Sequence, residues 1–207
     1  MIRQEHTDLK EPGVGYNVVK YNPLGSADFV NPNLDVAYLE TWLAADERTP
    51  VMLDVPEITD RYYTAQILDE WGEVIVNINE RSFPSKPFGK FALVHPGWNG
   101  SLPADASRIT LHSGKAKMLA RVELKDDPAE AVRLQRAFKL APLGTPLAAP
   151  PPAISMSGNK DLIGVEIFDD IDTKLSSALD VCVLVGDPGR RARLSRGAQS
   201  TQLVQFQ

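Results

Sequence analysis

Arg61-Tyr62-Tyr63-Thr64-Ala65-Gln66-Ile67-Leu68-Asp69-Glu70-Trp71-Gly72-Glu73-Val74-Ile75-Val76-Asn77-Ile78 is the stretch on which the fold turns. Its first part sets Tyr63, Ala65 and Ile67 on one face and Tyr62, Thr64 and Gln66 on the other, the period-two pattern of a half-buried strand. Glu70-Trp71-Gly72-Glu73 then offers a glycine for a tight loop, and Val74–Ile78 is a second short run. Together they predict an antiparallel hairpin.

The flanking sequence repeats that pattern. Val36–Leu43 alternates, with Ala37, Leu39 and Leu43 on one side and Tyr38, Glu40 and Trp42 on the other; in Val51–Val55 the valines and Leu53 point inward. Phe91–Val94 precedes the turn cluster Pro96-Gly97-Trp98-Asn99-Gly100, and Ile109–Leu111 and Met118–Leu124 complete the series. Helical signals begin only at Asp127, a capping residue followed by Pro128, with Ala131, Leu134 and Phe138 forming a stripe that should end near Leu140. The expected fold is mainly β: an antiparallel β-sandwich or jelly-roll-like domain with one or two helices after the strands.

Five of the 16 prolines fall between Pro142 and Pro152. Such a stretch cannot be an interior helix or a central strand, because proline lacks the amide donor and fixes φ. It marks a division of the chain into an N-terminal arm (1–30), a sandwich domain (31–140), a proline-rich linker or strap (141–153) and an appended segment (154–207). In the last, Val165, Phe168, Ile171, Leu175 and Leu179 space out as an amphipathic helix, Val181–Val185 reads as a buried strand, and Arg190, Arg191, Arg193 and Arg196 form a basic tail.

The 207 residues carry 22 Lys+Arg against 27 Asp+Glu, a formal charge of −5, with 43% hydrophobic content. This is globular and acidic, which argues against a nucleic-acid binder. The longest apolar run, Val181–Val185, is far below the roughly 20 residues of a spanning helix, so no membrane span is expected. The opening MIRQEHTDLKEPG has no apolar core, so a cytoplasmic location is expected, or a periplasmic one had a signal been removed. A single cysteine, Cys182, excludes an internal disulfide and reads as a small buried hydrophobe.

Strong chemical motifs are absent. Gly13-Val14-Gly15 lacks the third glycine of a dinucleotide loop, Gly114-Lys115 is followed by Ala116, and neither a Gly-x-Ser-x-Gly nor a His-Glu-x-x-His occurs. His95 and His112 stand at the ends of predicted strands but no carboxylate or cysteine near them in sequence completes a metal site, and Asp169, Asp170 and Asp172 lack the glycine and glutamate of a calcium loop. No cofactor and no metal are expected.

Polar residues instead gather where strands begin. Asn33 and Asp35 precede the first strand, Arg61 and Tyr62 a later one, and Tyr38, Tyr62 and Gln66 project opposite the predicted core. Asp35 is a candidate partner for Arg61. Either the two close the end of a sandwich as a structural ion pair, or, with Trp71, the group Asn33, Asp35, Tyr38, Arg61, Tyr62, Gln66 and Trp71 lines a ligand pocket.

At these residues the chain resembles the domain of unknown function 1254. The stretches that carry the resemblance are Asn33-Leu34-Asp35-Val36-Ala37-Tyr38, Thr49-Pro50, Val51 to Pro56, Arg61-Tyr62-Tyr63 and Pro96-Gly97-Trp98-Asn99-Gly100, between about residues 30 and 140. Val36 stands where the family has threonine, Leu39 where it has a small polar residue, and Thr49 where it has glycine. The resemblance implies a β-rich, sandwich-like fold and no established reaction. Typical members are longer, and many resemble exported proteins.

The favoured expectation is therefore a non-enzymatic module binding a small polar or carbohydrate-like ligand, or a structural module. The alternative is a hydrolase with Asp35 or His95 as general base and Arg61 stabilising an anion. Exposed strand edges, or the strap after Leu140 laid over a neighbour, make a homo-oligomer a further candidate.

Overall fold

The structure, a computed structural model, describes residues 1–26 and 31–151. The helix predicted over Val165–Leu179, the strand Val181–Val185 with Cys182, and the Arg190–Arg196 tail lie outside the described residues, as does the unit 164–207 into which the chain separates from 1–163. No described helix is long and apolar enough to cross a membrane.

Among the described residues nine strands form two sheets. In chain order they are β1 (Lys20–Tyr21), β2 (Val36–Ala44), β3 (Val51–Val55), β4 (Tyr63–Leu68), β5 (Val74–Ile78), β6 (Gly89–Val94), β7 (Ala106–Thr110), β8 (Lys115–Glu123) and β9 (Lys139–Pro142), with helices α1 (Ile2–Asp8) and α2 (Pro128–Ala137). One sheet runs β1-β2-β8-β4-β5, all antiparallel; the other runs β7-β6-β3-β9. Between them lies the core. Leu39, Leu43, Ala65, Ile67, Met118 and Val122 come from the first sheet, and Val51, Leu53, Phe91 and Leu93 from the second. The period-two faces read from β2, β3 and β4 are those that meet in this core, and the β4–β5 hairpin is antiparallel.

Three details depart from the sequence reading. First, β7 runs parallel to β6, so the second sheet is mixed. A parallel partner needs a long connection, and residues 95–105, which hold the Pro-Gly-Trp-Asn-Gly turn, supply it. Second, a helix opens the chain, where an extended arm was expected; the Glu5 amide donates to the Met1 carbonyl. Third, α2 ends at Ala137 rather than near Leu140, because Phe138 turns extended (φ −61°, ψ 132°) and leads into β9, which pairs with β3. Pro142 sits at the end of this edge strand, where a missing amide costs least. The start of the proline-rich stretch is fastened to the sandwich: Leu143 N–H donates to Pro50 O (2.9 Å) and Leu147 N–H to Asp46 Oδ2 (2.8 Å). The Leu147 amide, helped by those of Arg48 and Thr49, holds the Asp46 carboxyl below the ordinary carboxylate range.

β2 is buried on both faces. Its core face was legible; its other face is covered by the N-terminal segment. Trp42 Nε1 donates to Asp8 (2.9 Å), Asn22 Nδ2 to Glu40 (3.1 Å), and Lys117 of the adjacent β8 pairs with Glu40 (2.8 Å) while its ammonium lies 4.7 Å from the Trp42 ring centre. Next along β8, Lys115 pairs with buried Glu5 (3.0 Å), which also accepts from Tyr16. Burial, and then the Glu5 carboxylate, push the Tyr16 hydroxyl well above its usual range. Paired charges and hydrogen bonds offset the desolvation that burial imposes on these groups.

On the outside of the second sheet, Trp98 packs with Ala92 and Val94 under Arg108, whose guanidinium lies 5.3 Å from its ring centre. Gly100 must be a glycine here: a Cβ would stand 2.5 Å from Trp98 Cζ2. Gly100→Ala should therefore lower stability by about 1–3 kcal/mol, the range for overpacking a filled site, and a chemical denaturation curve with unchanged slope would register it.

Candidate functional site

The antiparallel register brings three strand ends to one end of the first sheet. There β4 begins, β5 ends and β8 ends, because Tyr63 pairs with Val122 and Ala65 with Ile78. An open cleft of about 620 Å³ lies between them, lined by Thr59–Tyr62 from the β3–β4 loop, Tyr63 at the start of β4, Asn79–Arg81 after β5, Glu123 at the end of β8 and Lys125 beyond it. Its charges are mixed: Arg61, Arg81 and Lys125 face Asp60, Glu80 and Glu123.

Local chemistry holds each wall in place. Asp60 occupies the left-handed region (φ 61°), which aspartate tolerates better than most residues, and turns the loop into β4. Arg61 Nη1 donates to three carbonyls, of Glu123 (3.0 Å), Leu124 (3.3 Å) and Asp127 (3.3 Å), fastening the start of β4 to the end of β8 and to the N-cap of α2. Glu123 Oε2 accepts from Tyr62 N–H (2.9 Å). Buried Asn79 accepts from the amides of Arg81 (2.9 Å) and Ser82 (2.7 Å) and donates to Thr64 Oγ1 (3.2 Å), so its turn is fixed from within. The Arg81 guanidinium then rests 6.0 Å from the centre of the half-exposed Tyr62 ring.

Beneath the mouth, Tyr63 donates its hydroxyl to Pro87 O (2.8 Å). Burial, with Glu80 and Glu57 adding to it, pushes its pKa up to about 12. The neutral phenol is thus favoured by folding: the stability it lends is complete below the ordinary tyrosine value of 10.0 and is lost as pH rises through about 12. A denaturation series over that window should show stability falling, with an ultraviolet phenolate signal from Tyr63 only near its upper end.

Of the candidates named from sequence, Arg61 and Tyr62 line the cleft. Asn33 and Asp35 reach the same end of the sheet, where Leu124 N–H donates to Asp35 O (2.8 Å), but they stand outside its wall. Among the described residues Asp35 forms no ion pair with Arg61, contrary to expectation, since the guanidinium is turned to the three carbonyls. Tyr38 is buried: its hydroxyl accepts from Asn33 N–H (3.0 Å) and Arg121 lies 5.6 Å from its ring centre. Gln66 sits inside the sheet between β5 and β8, and Trp71 lies in the β4–β5 turn, at the far end of β4 from Arg61. At about 3.3 Å per residue, strand length alone keeps Trp71 out of the cleft.

Asn79, Glu80, Arg81, Glu123 and Lys125 were not picked out from sequence. The hairpin itself held the signal, since an antiparallel partner of β4 must end where β4 begins.

His112 and His95 serve local order. His112 Nδ1 is 2.9 Å from Asp69 Oδ2, and Asp69 Oδ1 accepts from Trp71 and Glu73 amides to shape the hairpin turn. His95 Nδ1 accepts from Gly97 N–H (3.0 Å), and its ring lies against Gly114, at the opposite end of β8 from Arg61. Among the described residues no three of His, Cys, Asp or Glu form a metal-holding group.

Residues 16–142 match the family described as "Protein of unknown function (DUF1254)". A comparison with curated proteins gives no match. Among solved structures, the VPA0106 protein from Vibrio parahaemolyticus is similar, at 19% sequence identity and a TM-score of 0.61, over 75% of this chain and 40% of that one. The likeness is one of fold, and this chain spans less than half the length of that protein.

Proposed function

The chain belongs to the DUF1254 family of proteins of unknown function, and on that premise we propose that its sandwich is a binding module that holds a small polar ligand in the cleft between Arg61, Tyr62, Arg81 and Lys125. One observation carries the reading: a cleft of about 620 Å³, a size common for small-ligand sites, whose walls are charged and whose aromatic ring stands half exposed beside an arginine. Backbone hydrogen bonds hold the cleft walls, so binding spends little on ordering them. The mixed charges suit a ligand with hydroxyl or zwitterionic groups better than a bare polyanion.

The hydrolase alternative finds less support. Its two candidate bases do not share the cleft with Arg61: His95 lies at the other end of β8, and Asp35 stands outside the wall. Arg61, meanwhile, is engaged with carbonyls rather than turned to a substrate.

A thermal-shift screen of mono- and disaccharides, amino acids and small hydroxy acids tests the proposal. At a ligand concentration of 100 Kd, binding should add about 2.7 kcal/mol to the native state. Tyr62→Ala and Arg81→Ala should abolish the shift while melting close to the unliganded parent. A screen with no shifts, or shifts that both variants retain, would reject the cleft as a binding site; turnover of a retained compound would favour the hydrolase.

A further inference from the structure

Two connections cross between the sheets at the end of the sandwich that holds the Arg61–Tyr62 cleft. Residues 56–62 join β3 to β4, and residues 79–88 join β5 to β6. The cleft takes in the first-sheet ends of both connections. Toward the second sheet lies another opening, of about 450 Å³, lined by Asp54, Lys86, Pro87, Phe88, Lys90 and Asp105. The two walls touch: Tyr63, which lines the first opening, donates its hydroxyl to the carbonyl of Pro87, which lines the second (2.8 Å). Each opening carries one aromatic ring that is more than a third exposed, Tyr62 at 42% and Phe88 at 38%. The connection that bears Phe88 is pinned from within, since Phe83 N–H donates to Asn79 O (3.0 Å), Lys86 N–H donates to Phe83 O (3.1 Å), and the Phe83 ring meets Phe91 edge-on.

We propose, resting on the first cleft as a ligand site, that both openings are subsites of one groove whose ligand is a neutral oligosaccharide, with one sugar on Tyr62 and a later one on Phe88. Charge balance selects an uncharged ligand. Arg61, Arg81 and Lys125 are matched by Asp60, Glu80 and Glu123 in the first opening, and Lys86 and Lys90 by Asp54 and Asp105 in the second. The second pair of cations is moreover engaged already: Lys90 pairs with Asp105 (2.6 Å), and Lys86 donates to the Asp105 carbonyl (2.5 Å). A sugar ring suits such walls, because its C–H face lies on an aromatic ring while the hydroxyls around its rim bond to charged side chains. A peptide held by main-chain pairing would need an open strand edge, and this groove is walled by strand ends and connections. The length of the ligand follows from the chain. Arg81, beside the Tyr62 ring, stands seven residues before Phe88, a span of at most about 25 Å, which a hexasaccharide can bridge and a single sugar cannot occupy at both rings.

Calorimetric titration of the full chain with the di- and hexasaccharides of the malto-, cello-, xylo- and manno- series tests the proposal. In the series that the groove accepts, the hexasaccharide should bind about 100-fold more tightly than the disaccharide, the low end of the gain from linking two binding events. Phe88→Ala should bring the hexasaccharide down to the disaccharide's affinity and leave the disaccharide unchanged, whereas Phe88→Trp, which keeps a ring there, should retain the gain. Tyr62→Ala should abolish binding of both lengths. Tyr62 and Phe88 are exposed, so all three variants should keep the parent's circular dichroism spectrum and melting temperature. A hexasaccharide that binds no more tightly than its disaccharide, or a gain that survives Phe88→Ala, would overturn the groove. So would the absence of binding by every saccharide; amino acids or hydroxy acids whose thermal shifts still depend on Tyr62 and Arg81 would then leave the first cleft standing as a site for another ligand, and no shift from any compound would reject both.

Discussion

Lys117→Met should lower stability by about 3–5 kcal/mol, the range found when one partner of a buried ion pair is removed. The ammonium lies between Glu40 (2.8 Å) and Asp8 (3.5 Å), and the Lys117 and Glu40 side chains are 5% and 7% exposed. Without Lys117, Glu40 keeps the Asn22 amide but loses its counter-charge, and it cannot move to water because the N-terminal segment covers it. The loss should therefore come from an orphaned carboxylate and not from missing packing, since methionine fills nearly the same volume. A double variant separates the two. Lys117→Met with Glu40→Leu should fall well short of the sum of the single losses, because the second change removes the orphan. Denaturation midpoints for the four proteins of the cycle measure that coupling; strict additivity would mean that the pair contributes nothing as a pair.

Phe138→Ala should cost a similar about 3–5 kcal/mol, through a cavity in place of a charge. Phe138 is fully buried and stands where α2 gives way to β9, so its ring joins the core while its carbonyl accepts from Tyr21 (3.0 Å). Three elements thus meet at one residue. Truncation leaves the Tyr21 hydrogen bond formally intact but removes the packing that sets the helix against β2 and β8. Equilibrium denaturation should show the lost stability, and exchange protection should weaken first in α2 and β9. Leu140, only half-buried on β9, should tolerate alanine better, which makes it the internal comparison.

Particular residues explain what could be read in advance. Tyr63, Ala65 and Ile67 face the core as their alternation required, and Asp127 caps α2 through Glu130 N–H (3.0 Å). Such features depend on local periodicity or on a side chain reaching its own next turn. Glu40 and Trp42 looked like an outward face because period two distinguishes two faces of a strand and cannot say that both will be covered. Their cover comes from residues 18 and 34 positions earlier, through Asn22 and Asp8. The site divides in the same way. Of the polar residues gathered at strand starts, Arg61 and Tyr62 lie on the cleft wall, whereas Asp35 does not pair with Arg61 because backbone carbonyls distant in sequence take up the guanidinium.

By itself the amino-acid sequence determined the β-rich character of this protein, the core faces of its central strands, the β4–β5 hairpin and the family to which it belongs. Those follow from hydrophobic period, turn chemistry and motif order, all of which act over a few residues. The tertiary structure alone decided that β7 runs parallel, that the N-terminal segment seals a buried ion cluster over β2, and that Arg81, Glu123 and Lys125 share a cleft with Tyr62. These depend on which distant segments meet. That choice comes from the free energy of burying surfaces together across the whole domain, which no window of sequence contains.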